Sequence, residues 1–407
     1  MEEQTWPATP IYSRRHILAL GGGAAAAAIL AACGSDSKST GATSAPVSNT
    51  AASGGDTTAA PVGTSATPTE TVAVNTSAPA GTGTGTITNA AKFGGGGGDG
   101  TVKIGFTAPL TGSLSGFGEA NPFILEAINK LAADGLMLGD KSYKVQIIQK
   151  DVESNSDTAA SRAGELITDD AVDIMLAIAT PEMINPVADQ CEANGVPCLS
   201  TLAPWQPYFF GRGGDPAVGF EWTYHFFWGA EQLVAVFGDM WASIDTNKTV
   251  GLLCANDPDG NALADPKTGF PAGIAAGGYK LVDPGRFQVL SDDFSAAIGA
   301  MKVGGAEIVC GIPIPPDFAT FWTQAKQQGF NPKLVTMAKA VLFASAVEAL
   351  GDNGDGLASE VWWTPNHPFS SSLTGESSKD ISDKYESSTG KQWTQFVGFV
   401  HALFEVC

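Results

Sequence analysis

The sequence predicts an α/β protein of two lobes with a cleft between them, and three observations carry that prediction. From Thr101 onward short β-branched runs alternate with amphipathic helical stretches, a rhythm that argues for parallel sheets wrapped by helices. The rhythm breaks between Thr201 and Trp228, where ten aromatic residues crowd together, and restarts at Thr249. The body after residue 100 has about 300 residues, enough for two hydrophobic cores of ordinary size.

VKIGFTA (102–108) reads as the first strand, followed by a helix over 122–133 with Asn121 as its N-cap and Pro122 at the first helical position. VQIIQKD (145–151) is a second strand, and Ser156 with Asp157 caps a helix reaching about Thr168. VDIMLAIAT (172–180) is almost continuously apolar, so both of its faces are expected to be covered. A helix through 186–193 and a strand VPCLST (196–201) complete the first series. After the aromatic stretch come TVGLLCAND (249–257), YKLVD (279–283), a helix over 294–303 capped by Asp292 and Asp293, AEIVCGIP (306–313), a helix over 318–329, and KLVTM (333–337). Open parallel sheets bind ligands at the carboxyl ends of their strands. Here those ends are 107–111, 180–182, 200–205, 256–261, 313–317 and 337–340.

The N-terminus belongs to neither lobe. The uncharged run 17–32 is shorter than the roughly 20 apolar residues of a membrane span. With a basic front and a small-residue end, residues 1–33 read as an export signal. Ser13-Arg-Arg-His-Ile-Leu18 resembles a twin-arginine signal, and Leu30-Ala-Ala-Cys33 resembles a bacterial lipobox. That resemblance implies lipid attachment at Cys33 and a protein tethered to the outer face of the cell membrane, or periplasmic. Residues 34–100, nearly all Ala, Gly, Ser, Thr, Pro and Asn, are expected to form a disordered stalk ending in the pliant FGGGGGDG.

A formal net charge of −20 argues against nucleic acid, whose phosphates need a basic face, and against adhesion of the body to anionic lipid. There is no phosphate loop and no H-E-x-x-H, and Gly112-Ser-Leu-Ser-Gly116 carries Leu where a nucleophile elbow needs Ser. Gly81-Thr-Gly83-Thr-Gly85 falls in the stalk and makes no dinucleotide fingerprint. Asp257-Pro-Asp259-Gly-Asn261 is similar to a calcium loop but has Thr268 at the closing acidic position. No metal, cofactor or catalytic set is therefore expected, and the chain does not read as an enzyme. In DQCEANGVPC, Cys191 and Cys198 form either a local disulfide or two small buried hydrophobes.

Three stretches, in order, carry a resemblance over the body from Thr101 to the C-terminus. They are KIGFTAPLTGSLSGFGEANPFILEAINKLAADG, DVESNSDTAASRAGELITDDAVDIMLAIATPEMINPVADQCEANGVPCLST and DFSAAIGAMKVGGAEIVCGIPIPPDFATFWTQAKQQGF. They resemble the leucine/isoleucine/valine-type solute-binding proteins of ABC importers, which are type I periplasmic binding proteins. The resemblance implies two Rossmann-like lobes, 101–224 and 225–362, with a return to the first over 363–407, joined by crossover strands at a hinge that closes on a small ligand. An amino-acid-like, amide or carboxylate ligand is implied, with an ABC permease and its ATPase as partners and no cofactor. A sensing module for a receptor or kinase is the alternative role. QFVGFVHALFEVC resembles the family's long first-lobe helix, which implies a chain truncated before the closing elements of that lobe and a third crossover.

Residue by residue, the resemblance places Thr180, Pro181, Glu182, Ser200 and Thr201 at turns that hold a ligand's carboxylate, with Phe117 over the ligand. In the second lobe the family sets an acidic residue after the strand matching KLVTM, where it pairs with the ligand's ammonium. This chain has Lys339 there, and Asp259 and Ile314 stand where aromatic residues are expected. Either Asp259 takes over the ammonium or Lys339 meets a second acidic group on the ligand. The latter implies that anionic or amide ligands outrank leucine, isoleucine and valine.

Overall fold

β-branched runs and their intervening helices assemble, in the computed structural model, into two sheets over the described residues 91–407. Arg14, Arg15, Cys33 and the stalk through residue 90 lie outside the described residues. The first lobe opens with β1 (Lys92–Phe93), then β2 (Thr101–Ala108), α1 (Asn121–Leu131), β3 (Leu136–Leu138), β4 (Lys141–Asp151) and α2 (Ser156–Thr168). It continues with β5 (Ile174–Ile178), α3 (Pro181–Asn194), β6 (Cys198–Thr201), α4 (Trp205–Phe209) and β7 (Thr223–His225). The strands lie in the order β1-β3-β4-β2-β5-β6-β7. Because β2 pairs in parallel with β4 on one side and β5 on the other, the winding reverses at β2 and opens a crevice at its carboxyl end.

Residues 91–100, expected to be the end of the stalk, are part of this sheet. Lys92–Phe93 pairs antiparallel with Leu136 and Met137. Ser142 ties down the glycine run, accepting from the Gly97 N–H at 2.9 Å and donating its own N–H to Asp99 at 2.7 Å. Gly95 sits at φ +81°, where a Cβ would come within 2.6 Å of the Ser142 Cβ. Glycine here permits a close approach rather than looseness, a use that composition alone does not reveal.

The second lobe contains α5 (Ala230–Ala242), β8 (Thr249–Ala255), α6 (Pro258–Leu263), α7 (Phe270–Ala276), β9 (Lys280–Val282) and β10 (Arg286–Phe287). It continues with α8 (Ser295–Gly304), β11 (Ile308–Gly311), α9 (Pro315–Gln327), β12 (Leu334–Met337), α10 (Ala344–Glu348) and β13 (Leu357–Ala358). Its sheet is parallel throughout, ordered β10-β8-β11-β12-β13 with β9 also on β8. The strands read as unbroken apolar runs because both faces are covered. Leu252 and Cys254 enter one core with Phe237 and Trp241, whereas Leu253 and Val309 enter another with Phe318, Phe321 and Trp322.

The chain then returns through α11 (Ser378–Thr389) and α12 (Gln395–Val406), and α12 inserts Phe396, Val400 and Leu403 into the first core beside Phe106 and Ile124. The first crossing lies at 226–229 rather than at 225, because His225 still pairs with Ser200 in β7. Phe226 and Phe227 pack on the first core and Trp228 on the second. The chain crosses back between Ala358, against the second core, and Trp362 with Trp363 in the first. Three caps differ from expectation. For α8, Phe294 takes the N-cap position and Asp293 accepts the Ser295 N–H at 2.9 Å from one residue further out. Asn121 is already helical and fully buried, and Asn155 rather than Ser156 caps α2 by accepting from the Thr158 N–H at 2.9 Å. Among the described residues, no helix is long and apolar enough to cross a membrane.

Candidate functional site

The loops leaving the carboxyl ends of both sheets enclose a cavity of about 260 Å³. Ser113, Leu114, Ser154, Thr180, Glu182 and Met183 line it from the first lobe, and Asn256, Asp257, Pro258, Val289, Ile314 and Lys339 from the second. The backbone marks the same place. Glu153 and Ser154 after β4, Ala179 after β5, Leu202 after β6 and Lys339 after β12 all have left-handed φ values, between 54° and 110°. Such conformations are costly for side-chain-bearing residues and gather where a binding site fixes the loop.

Lys339 occupies a tight turn in which the Ala340 N–H donates to the Ala338 carbonyl. The turn aims its ammonium at the start of α6, 3.2 Å from Asp257 Oδ2 and 3.0 Å from Asp259 Oδ2. Asp257 Oδ1 accepts the Gly260 N–H at 2.6 Å, so this residue caps the helix and pairs with the lysine at once. Burial alone would lower Lys339, but the carboxylates of Asp257, Asp259 and Glu182 outweigh it and keep the amine charged. Burial raises the Glu182 carboxyl, Lys339 opposes that, and Asp257 adds to it. Burial also raises the Asp259 carboxyl, with Lys339 opposing. Asp317, in the first turn of α9, is pushed up to about 6 by burial.

Of the residues expected at the site, Thr180, Glu182, Ile314 and Lys339 line the cavity. Asp259 lies one layer behind, 1% exposed, with one carboxylate oxygen on Lys339. Lys339 therefore does not present a free charge to a second acidic group on a ligand, because Asp257 and Asp259 already hold it. Phe117 is not over the cavity. It is core, meeting Phe343 and Phe396 edge-on at 5.2 and 5.1 Å, because α12 and the segment after β12 bring those rings together.

Ser200 and Thr201 are likewise withdrawn. β7 adds to the sheet edge beside them, and their hydroxyls bond it or the residue that follows it, Ser200 Oγ meeting His225 Nδ1 at 2.9 Å and Thr201 Oγ1 donating to the Phe226 carbonyl at 2.7 Å. Pro181 is buried in the first turn of α3 and does not line the cavity. Cys191 and Cys198 are unbridged thiols, fully buried between α3 and β6. A hydrogen bond to Cys198, then burial, raises the Cys191 thiol. Among the described residues no cluster of His, Cys, Asp and Glu is placed to hold a metal ion, and the aspartates of the calcium-like stretch hold Lys339.

Of the wall residues, sequence reasoning named only Thr180, Glu182, Ile314 and Lys339 and missed the other eight, Met183 and Pro258 among them. Asn256 and Asp257 fall within a strand end already marked, whereas Ser154 and Val289 sit in loops with no distinguishing pattern.

A family model described as periplasmic binding protein matches residues 101–405. The chain belongs to that family. This periplasmic binding protein has the two-lobed type I arrangement, and solved structures of that fold superpose on it. A leucine binding protein LivK from Thermotoga maritima does so with a TM-score of 0.61 at 18% identity, covering 75% of this chain and 81% of that one. LivJ of Streptococcus pneumoniae, a branched-chain amino acid transporter substrate binding protein in complex with isoleucine, gives 0.58 at 18% identity, covering 75% and 82%. A solute binding protein of an ABC transporter from Rhodopseudomonas palustris, in complex with 3,4-dihydroxybenzoic acid, gives 0.57 at 19%, covering 75% and 78%. In sequence the chain is similar to Leu/Ile/Val-binding protein homolog 3 of Brucella melitensis, 28% identical over 218 residues. That similarity spans 51% of this chain and 53% of the relative, about half its length.

Proposed function

We propose that this periplasmic binding protein is the extracytoplasmic solute-binding component of an ABC importer, held at the membrane by lipid on Cys33. It takes a small polar solute between its lobes and delivers it to a permease driven by a partner ATPase. The observation that carries this reading is the cavity of about 260 Å³ at the strand ends of both lobes, with an ionic wall buried inside it. Its size suits an amino acid or small organic acid, the kinds of ligand named for the LivJ and Rhodopseudomonas palustris relatives. Closure of two lobes around a bound solute is an established hinge motion.

A melting screen of the full chain against amino acids, amines, amides and small carboxylates tests the reading. A ligand bound only by the folded form at a hundredfold excess over its Kd adds about 2.7 kcal/mol, a readily measured shift. A screen without any shift overturns the proposal. For the tether, Cys33→Ser should move the protein from the membrane fraction to the soluble fraction, and an unchanged distribution would rule out lipid on that residue.

A further inference from the structure

Where the chain crosses between the lobes it leaves a cavity of about 420 Å³, larger than the cleft. Its walls come from both lobes. Gln232, Leu233 and Val236 of α5 belong to the second, and Phe399 of α12 to the first. The crossing segments close the rest, with Phe226 to Trp228 on the way out and Glu360 to Trp362 on the way back. Protein interiors leave few voids larger than a water molecule, so an opening of this size is not loose packing. Small-molecule sites occupy about 300–1,000 Å³, are mostly apolar and aromatic, and favour domain interfaces.

We propose that this hinge cavity is a second binding site, separate from the cleft, for an uncharged aromatic molecule of about two fused rings that carries a hydrogen-bond acceptor.

Shape, charge and an orphaned donor support this independently. The aromatic walls hold one another in place. Trp362 meets Phe227 at 4.8 Å and Phe399 at 5.4 Å, both edge-to-face, and Phe227 meets Phe399 at 5.1 Å. A further planar ring extends such a network without reorganising it. An apolar cavity of about 150 Å³ takes benzene, so this one has room for a second ring. Val236 and Val361, exposed by 40% and 60%, line it and leave it open to solvent.

No lysine, arginine or histidine lines the cavity. Its one acid, Glu360, is 4% exposed, and its oxygens already accept from Ser359 Oγ and Trp362 Nε1. It offers a ligand cation no free face, and burial pushes it up to about 7. A charge of either sign would therefore leave water here without a counter-charge, which is costly.

One polar group at this wall does lack a partner. The Trp228 indole N–H is enclosed and reaches no acceptor among the described residues. Such a donor can only give a hydrogen bond, and leaving it unmet costs stability. A carbonyl oxygen on the occupant would meet it.

Calorimetric titration of the full chain near neutral pH with coumarin, naphthalene, naphthoate and naphthylmethylamine tests the proposal. Coumarin, uncharged and bearing a carbonyl, should bind more tightly than the anion or the cation. Val236→Trp and, separately, Val361→Trp should fill the opening and weaken coumarin by about tenfold or more. Both positions are exposed, so the ligand-free melting point should hold in each variant. Trp228→Phe should cost coumarin more affinity than naphthalene, because only coumarin has an acceptor to lose its donor. Since the walls belong to different lobes, bound coumarin should also slow hydrogen exchange in the crossing segments 226–229 and 358–362. The absence of coumarin binding, or either ion outranking it, overturns the proposal. So does coumarin binding that is indifferent to both tryptophan substitutions, or an equal loss for the two neutral probes in Trp228→Phe. Unchanged exchange at both crossings would place coumarin elsewhere, with the same consequence.

Discussion

Two cavities in this molecule bury carboxyl groups, and they keep them in different ways. In the interlobe cleft Asp257 and Asp259 are held by the Lys339 ammonium at 3.2 and 3.0 Å. A second cavity, of about 420 Å³, lies where the two crossings meet, lined by Phe226, Phe227, Trp228, Trp362 and Phe399 around Glu360. Glu360 is 4% exposed and accepts from Ser359 Oγ at 2.8 Å and Trp362 Nε1 at 3.3 Å, with no ion pair to it among the described residues. Burial pushes this carboxyl up to about 7. A carboxyl taken out of water needs a counter-charge or a proton. Glu360 has no counter-charge beside it among the described residues, whereas in the cleft Lys339 opposes, without cancelling, the upward push of burial on Asp259.

The sharpest way to break that contrast is to remove the counter-charge. Lys339→Met leaves two buried aspartates facing each other, and breaking a buried pair from one side typically costs about 3–5 kcal/mol. Denaturant unfolding should show a loss of that order, much of it recovered in Lys339→Met/Asp259→Asn. A neutral single variant would mean that the aspartates reach water and that the cleft pair is no different from a surface one.

A smaller effect sharpens the other half. Glu360 titrates near 4.5 in the unfolded chain and at about 7 in the folded one, so over that interval the folded state binds the proton more tightly. Its contribution to stability is complete below about 4.5 and is lost as pH rises through about 7, at up to about 1.4 kcal/mol per pH unit. His225, held down to about 4 by burial, acts in the opposite sense below its ordinary value of 6.5. The measurement is therefore the difference between wild type and Glu360→Gln across about pH 5 to about 8, which covers most of the expected window and about one unit above it. That difference should move in favour of the amide as pH rises, and parallel stability curves would show that Glu360 stays ionised in the fold.

Much of the sheet framework was legible because its signal is local. Eight expected strands match β2, β4, β5, β6, β8, β9, β11 and β12, with ends displaced by a few residues. The short strands at Lys92–Phe93, Leu136–Leu138, Thr223–His225, Arg286–Phe287 and Leu357–Ala358 were not, since two or three residues have no readable period and are fixed by the neighbours they pair with. The site was legible as a place more than as a set of side chains. Strand ends pointed to Thr180, Glu182, Ile314 and Lys339, all of which line the cavity. The sequence does not reveal that Thr201 would be claimed by Phe226, the residue after β7, nor that Lys339 would find partners some 80 residues earlier in the chain. Both depend on long-range pairing, which sequence periodicity does not encode.

The double crossing also sets an order of assembly during synthesis. The second lobe, from about residue 229 to 358, is one uninterrupted length of chain whose sheet neighbours are close in sequence. The first lobe is interrupted, and its core closes only when α12 delivers Phe404 against Phe106, roughly 300 residues after that strand has left the ribosome. The lobe that begins first therefore still lacks this helix when the second lobe is complete in sequence, and until α12 arrives the part of its sheet face that α1 does not cover stands open.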